Sequence, residues 1–394
     1  MARPLTVMLV AAEASGDDRG AGLMEALRLK LGPNAVRFVG VGGPRMTAAG
    51  IASPFDIASL SILGLVEGLL ALPQVVRRVR QTAALAAIEK PDVAVLIDSW
   101  GFTLRVAQAL RRQQPDLPLI KYVGPQVWAS RPGRARTAAG AFDHLLAIHN
   151  FDAPLFEAEG LSVTFVGNAA LASGAADGDG PAFRREFGVR QDQALLLVAP
   201  GSRPGEIERV LPPFAAAVDL LQAERPDLAV AVLAAPTVSV SVRQAVSTWR
   251  RPPIVVEGDV AKFDAMAAAD VALACSGTVT TELALAGAPV VVGYRLGRLT
   301  HTILKRLIRT PYVTLFNIAA RDFVAPELIQ DDCNGPALAR EVGRRLDDAS
   351  LRDSQIAAQF AALQTMGRGG PDPSMAAAHA VLAVVDQPRR STAT

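Results

Sequence analysis

Residues 268–282, AADVALACSGTVTTE, set an apolar run directly before a small-residue turn and then hydroxyl side chains at a helix start. The free N–H groups and the positive end of the helix dipole at such a start attract an anion. Ser276 and Gly277 are small enough to let a diphosphate approach the backbone, and Thr278 adds a hydroxyl on the first turn. Glu282 follows about one and a half turns into the helix, within reach of a ribose hydroxyl pair. A nucleotide diphosphate suits this pattern; a Ser/Thr N-cap with an ordinary helical glutamate shares it. The segment LLLVAPGSRPGEIERVLPPFAAAV repeats the layout, and Arg203 at its turn offers a planar fork to phosphate oxygens.

Two carboxylates stand at comparable places in the first half. Asp98 ends the run DVAVLI and precedes a helical stretch, where Asp-Ser is also an N-cap pattern. Glu13 follows the first apolar run, with Ser15, Gly16 and Asp17 making the adjoining turn. Both would stand at the mouth of a cleft between strand ends, and Glu13 also reads as a loop carboxylate before a helix.

These residues need strands that end in turns, and the chain supplies them repeatedly. LTVMLVAA, VRFVGVG, DVAVLID, LPLIKYVG, HLLAIH and VTFVGN read as strands in the first half; ALLLVAP, AVAVLAA, PIVVEG, DVALAC and PVVVGY follow in the second. Helical stretches such as AGLMEALRLKL and FAAAVDLLQAE separate them, which argues for parallel α/β sheets covered on both faces. The 394 residues, 50% hydrophobic and 20% charged, suffice for two domains with full cores. Two doubly wound Rossmann-like domains facing a cleft are expected. Their bounds are 1–172, a Gly/Ala/Asp/Pro-rich linker at 173–192, 193–345, and C-terminal helices with a polar tail at 346–394.

A net charge of +2 gives no global field for nucleic acid. Cys275 and Cys333 cannot build a disulfide framework, the four histidines lack metal-ligand spacing, and no Asp-x-Asp pair sits in a suitable turn. No metal or cofactor is therefore expected; the pair Asp331–Asp332 reads as a solvated loop. Glu13 interrupts the apolar run near the start, so a buried strand explains it better than a secretory signal. Residues 60–72, LSILGLVEGLLAL, are too short to span a bilayer. Leu63, Leu65, Val66, Leu69 and Leu70, followed by Arg77, Arg78 and Arg80, could dip into anionic headgroups, or form a buried core helix. A basic stretch at 294–313 could gather a phosphate group or a membrane surface, or present a solvated helix face.

With these motifs placed, the chain resembles the lipid-A-disaccharide synthase family, bacterial inverting glycosyltransferases of GT-B architecture. The stretches that carry the resemblance are AAEASGDDRGAGLM, GVGGPRM, ILGLVEGL, IDSWGFTLR, YVGPQVWASRPGR, APGSRPGEIE, ACSGTVTTELALAGAPVVVGYR and YVTLFNIAARDFVAPELIQDDC, in the family's order. The resemblance implies transfer of 2,3-diacylglucosamine from UDP-2,3-diacylglucosamine to 2,3-diacylglucosamine 1-phosphate (lipid X). It implies Asp98 as general base, with Glu13 as the competing assignment. Arg203, Ser276, Gly277, Thr278 and Glu282 would grip UDP, and Asn317, with Glu327 and Gln330 on a following helix, would reach the donor sugar. It further implies peripheral contact with the cytoplasmic face of the inner membrane, and a last helix that returns to the first domain or is exchanged with a partner protomer in a homodimer. Where the family commonly has Pro-Asp after Asp98-Ser99 this chain has Trp100-Gly101, and Gly167-Asn168 replaces a Gly-His pair. Acyl-chain preference and acceptor identity stay open on that account. Another UDP-sugar enzyme, such as an epimerase or a soluble-acceptor transferase, or a non-catalytic sugar-nucleotide-binding module, would show a similar nucleotide turn.

Overall fold

The computed structural model describes residues 3–60, 72–297 and 310–387. Two compact units divide the chain, Met1–Ala169 with Gly370–Thr394 and Ala170–Gly369. The apolar residues Leu63, Leu65, Val66, Leu69 and Leu70 lie outside the described residues, as does most of the basic stretch after Gly297.

The first unit holds β1 (Leu5–Val10), α1 (Ala14–Leu31), β2 (Val36–Val41), α2 (Pro44–Ala48), α3 (Leu72–Glu89) and β3 (Val93–Ile97). After these come α4 (Trp100–Gln113), β4 (Leu119–Tyr122), α5 (Arg134–Ala139), β5 (His144–Ala147), α6 (Ala153–Glu157) and β6 (Ser162–Phe165). All six strands run parallel in the order β2-β1-β3-β4-β5-β6. Strands β1 and β3 are near-continuous apolar runs because helices cover both faces, with Val79 and Val106 packing on one side and Leu23, Leu27 and Val381 on the other. The helix Pro373–Asp386 packs on α1, where Gly22 leaves room for Ser374. The chain winds outward in both directions from β1 and β3, so the topological switch lies at their carboxyl ends.

The second unit contains α7 (Gly180–Glu186), β7 (Leu195–Ala199), α8 (Pro204–Glu224), β8 (Ala229–Leu233), α9 (Ser239–Val246), β9 (Ile254–Val256), α10 (Asp259–Ala268) and β10 (Val271–Ala274). It closes with α11 (Thr278–Leu285), β11 (Val290–Tyr294), α12 (Leu315–Ala320), β12 (Glu327–Ile329), α13 (Gly335–Asp347) and α14 (Ala349–Thr365). Its parallel order is β12-β11-β10-β7-β8-β9, which puts the switch between β7 and β10. Buried Gln355 and Gln359 of α14 tie that helix to the backbone of Ala288 and Val290.

Three expectations change. Residues 173–192 are packed structure: Asp179 caps α7, Phe183 is fully buried, and Arg184 bonds Asp270 and the Ala268 carbonyl. The glycines that suggest a linker serve close approach, since a Cβ at Gly178 would sit 2.2 Å from the Phe263 carbonyl oxygen. The helices beyond 345 divide, α14 staying with the second unit and the final helix joining the first. Glu327 begins a strand, not a helix.

At the carboxyl end of β5, burial leaves Asp152 Oδ1 and His149 Nδ1 without hydrogen-bond partners. Phe151 stacks on His149 with ring centroids 5.0 Å apart and meets Trp128 edge-on. Burial pushes the Asp152 carboxyl up to about 7, against a smaller opposing pull from Trp128, and the His149 imidazole down to about 4. An Asp raised in the folded state contributes stability below its unfolded pKa and loses it as pH climbs toward about 7. Replacing Asp152 with Asn is therefore expected to stabilise the protein relative to the parent by a margin that grows between roughly pH 4 and 7. The margin reaches on the order of a few kcal/mol and is flat above that window. Denaturant titrations across pH check this; an offset independent of pH contradicts it.

Candidate functional site

In the first unit the chemistry gathers at the switch point. Asp98 leaves β3 with φ of 49° and Ser99 follows at 37°, both in the left-handed region. Such backbone costs about 1–3 kcal/mol per residue and persists where surrounding contacts enforce it. Asp98 Oδ1 accepts from the Ser99 N–H at 3.0 Å, while Oδ2 accepts from Ser15 Oγ at 3.1 Å and Arg19 Nη1 at 3.3 Å. The carboxylate is 31% exposed, so a substrate hydroxyl can reach it. Its hydrogen-bonding neighbours are polar, and the Trp100 ring faces Arg134, 5.9 Å from its centroid.

Gly16 lets α1 start close against the end of β3: a Cβ there would lie 3.3 Å from the Ala11 Cβ and 3.7 Å from that of Asp98. Glu13 occupies the N-cap position of α1 with an exposed side chain. Asp17 does different work. It is buried, and it accepts from the backbone N–H groups of Gly43, Arg45 and Met46, fixing the start of α2. Ser15, Glu13 and Asp98 are thus brought to one edge, while Asp17 serves the scaffold.

The second unit carries a pocket of about 400 Å³ at its own switch, lined by the turns after β7 and β10 and by α10 and α11. Arg203, Ser276, Gly277, Thr278 and Glu282 all line it. Gly201 has φ of 113°, and a Cβ there would strike Glu206 Oε2 at 2.7 Å, so this turn requires glycine. Glu206 holds the turn by accepting from the Ser202 N–H and from Arg203, whose side chain is 73% exposed at the pocket. A Cβ on Gly277 would meet no protein atom within 4 Å; the space above it belongs to the pocket. Glu282 is bound by Lys262 at 3.1 Å, and Lys262 also reaches Asp259 at 3.4 Å. This pair presents one carboxylate and one ammonium to a ligand with both hydroxyl and phosphate groups.

Asn317, Glu327 and Gln330 do not line this pocket. Asn317 is fully buried and bonds Ala325 through both ends of its amide. The Glu327 carboxylate accepts from the backbone of Val313 and Thr314, the Thr314 hydroxyl and Asn317. Gln330 clasps Leu296, accepting its N–H at 2.5 Å. Together they stitch the segments around β12 into a defined loop.

Arg19, Lys121 and Lys262 escape the sequence reading. Arg19 falls one helical turn beyond Ser15, on the same face. Lys121 was visible as a cation inside the apolar run LPLIKYVG, where burial demands partners. No pattern marked Lys262. On the outer surface, Arg78 stacks over Phe55 at 4.5 Å and bonds Gln81, whereas Arg77 is exposed.

The chain matches the family model described as lipid-A-disaccharide synthetase over residues 7–368. It is similar to the lipid-A-disaccharide synthase of Rhodospirillum centenum, 45% identical over 97% of this chain and 95% of that protein. The synthase of Paramagnetospirillum magneticum is 42% identical over 97% of this chain and 98% of its own length. Among solved structures, the S. aureus MnaA–UDP co-structure superposes with a TM-score of 0.61 at 16% identity, covering 91% of this chain and 94% of that one, a likeness of fold. A match that runs nearly end to end, over two units that each carry a six-stranded parallel sheet, assigns the chain to the lipid-A-disaccharide synthetase family.

Proposed function

We propose that the chain joins two acylated glucosamines, transferring 2,3-diacylglucosamine from UDP-2,3-diacylglucosamine to lipid X with inversion and release of UDP. Membership of the family over residues 7–368 carries the reading. In the first unit, Asp98 takes the proton of the lipid X hydroxyl as that oxygen bonds to the anomeric carbon. The bond from that carbon to the diphosphate breaks on the opposite side, and its electron pair leaves with UDP. The N-terminus of α11 and Arg203 stabilise the departing charge, and Glu282 with Lys262 binds the ribose. Glu13, exposed beside Asp98, orients the acceptor. Asn317, Glu327 and Gln330 act on the donor sugar indirectly, through the loop they hold.

The same reading includes a homodimer and peripheral contact with the cytoplasmic face of the inner membrane. Among the described residues no helix is long and apolar enough to cross a bilayer. Supporting surface contact, α3 opens with Leu72 and Val76 exposed, directly after the apolar segment. A groove between α3 and α4 has an apolar floor that includes Val79 and Ala83, and Arg80, Arg105 and Arg112 rim it.

Purified protein in detergent with both lipids is expected to form disaccharide and UDP in the presence of EDTA. Changing Asp98 to Asn is expected to lower kcat about 100-fold or more while UDP affinity stays within about twofold. Glu282→Gln is expected to weaken UDP binding about tenfold, the loss of one charge-assisted hydrogen bond. A fully active Asp98→Asn protein, or disaccharide synthesis that stops on chelation, contradicts the mechanism. On vesicles containing phosphatidylglycerol at low salt, removing the charges of Arg80 and Arg112 together is expected to weaken retention about 30-fold, at about 1 kcal/mol per arginine. Equal retention of parent and variant contradicts the surface contact.

A further inference from the structure

Lys121 is fully buried. It stands on β4 opposite Leu96 of β3, on the sheet face that Leu119 shares with Val79 and Val106. An ammonium in that layer is costly unless its protons are bonded. Lys121 Nζ donates to the Leu96 carbonyl at 3.3 Å, to Thr103 Oγ1 at 3.0 Å and to the Asp98 carbonyl. Among the described residues it forms no ion pair, so its partners are neutral oxygens around the turn that carries Asp98.

That turn needs holding. Asp98 and Ser99 are both left-handed, and Val123, two residues beyond Lys121, is left-handed too at 69°. Thr103 Oγ1 lies 2.8 Å from the Asp98 carbonyl oxygen, so Lys121 and Thr103 meet on the same atom. We propose that Lys121 is a positioning residue: by anchoring the Asp98 carbonyl in its left-handed turn, it keeps the Asp98 carboxylate where Ser15 and Arg19 meet it and an acceptor hydroxyl delivers its proton. The inference rests on the assignment of Asp98 as base. Asp98 and Glu13 are the charged groups that favour the protonated amine, and the larger effect of burial brings it down to about 7. As pH rises through that value the clamp loses a donor and its charge.

The test compares parent, Lys121→Met, Lys121→Ala and Asp98→Asn in the disaccharide assay, with UDP titrations and melting curves alongside. Lys121→Met keeps the length of the stem and is expected to lose about 100-fold in kcat, the effect of a small misplacement of a reacting group. The KM values and UDP affinity are expected to stay within about twofold. The parent should show a fall in kcat above about pH 7 that the Met variant lacks. If Met at this position does not fold, Thr103→Val removes the other anchor of the same carbonyl and is expected to lower kcat in the same way. Propylamine, but not propanol, should restore activity to Lys121→Ala. Full activity in Lys121→Met overturns the proposal, as does activity lost in step with melting temperature and not restored by amine. Activity retained in Asp98→Asn places the failure in the base assignment; activity lost there but kept in Lys121→Met places it in the clamp.

Discussion

A parallel sheet buried on both faces has no open surface on which to place chemistry. The strands β3, β7 and β10 that flank the switch points are apolar along their length, so the polar groups they carry stand just past their carboxyl ends. Where strand order reverses, the connections before and after diverge and leave room for a ligand. In the first unit this point falls between β1 and β3, and Glu13 and Asp98 are the carboxylates there. In the second it falls between β7 and β10, where the two small-residue turns line a pocket.

Confinement to strand ends makes the backbone itself part of the site. Asp98 and Ser99 adopt a conformation that a free chain avoids, and Gly201 adopts one that only glycine takes without strain. Such turns survive because neighbouring polar groups are saturated around them. Lys121 and Thr103 bind the Asp98 carbonyl, Glu206 binds the Ser202 N–H, and Asp17 ties the start of α1 to that of α2. The carboxylates therefore divide into two kinds. Asp17 and Glu327 spend their oxygens on backbone N–H groups, whereas Asp98 and Glu282 keep partly open faces toward solvent or a pocket.

Much of this was legible in the residues. Eleven apolar runs read as strands are strands, since buried parallel strands announce themselves by continuous hydrophobicity. β12 was missed because Glu327–Ile329 is only three residues long and sits in a sequence, PELIQ, that suits a helix equally well. The packed segment around α7 was read as a linker because glycine marks close approach and flexibility with the same letter. That Arg203, Ser276, Gly277, Thr278 and Glu282 would line one pocket was legible because small residues, hydroxyls and a glutamate are local in sequence. Arg19, Lys121 and Lys262 were not, because their partners at Asp98 and Glu282 come together only after the sheets form.

The reaction proposed for this chain is an inverting sugar transfer. Donor labelled with ¹³C at the anomeric carbon, incubated with lipid X and the enzyme, tests it directly by NMR of the product. The new glycosidic carbon is predicted to show the configuration opposite to that of the donor, with UDP released in equal amount. Retained configuration, or UDP released with no glycosidic bond formed, would contradict the account.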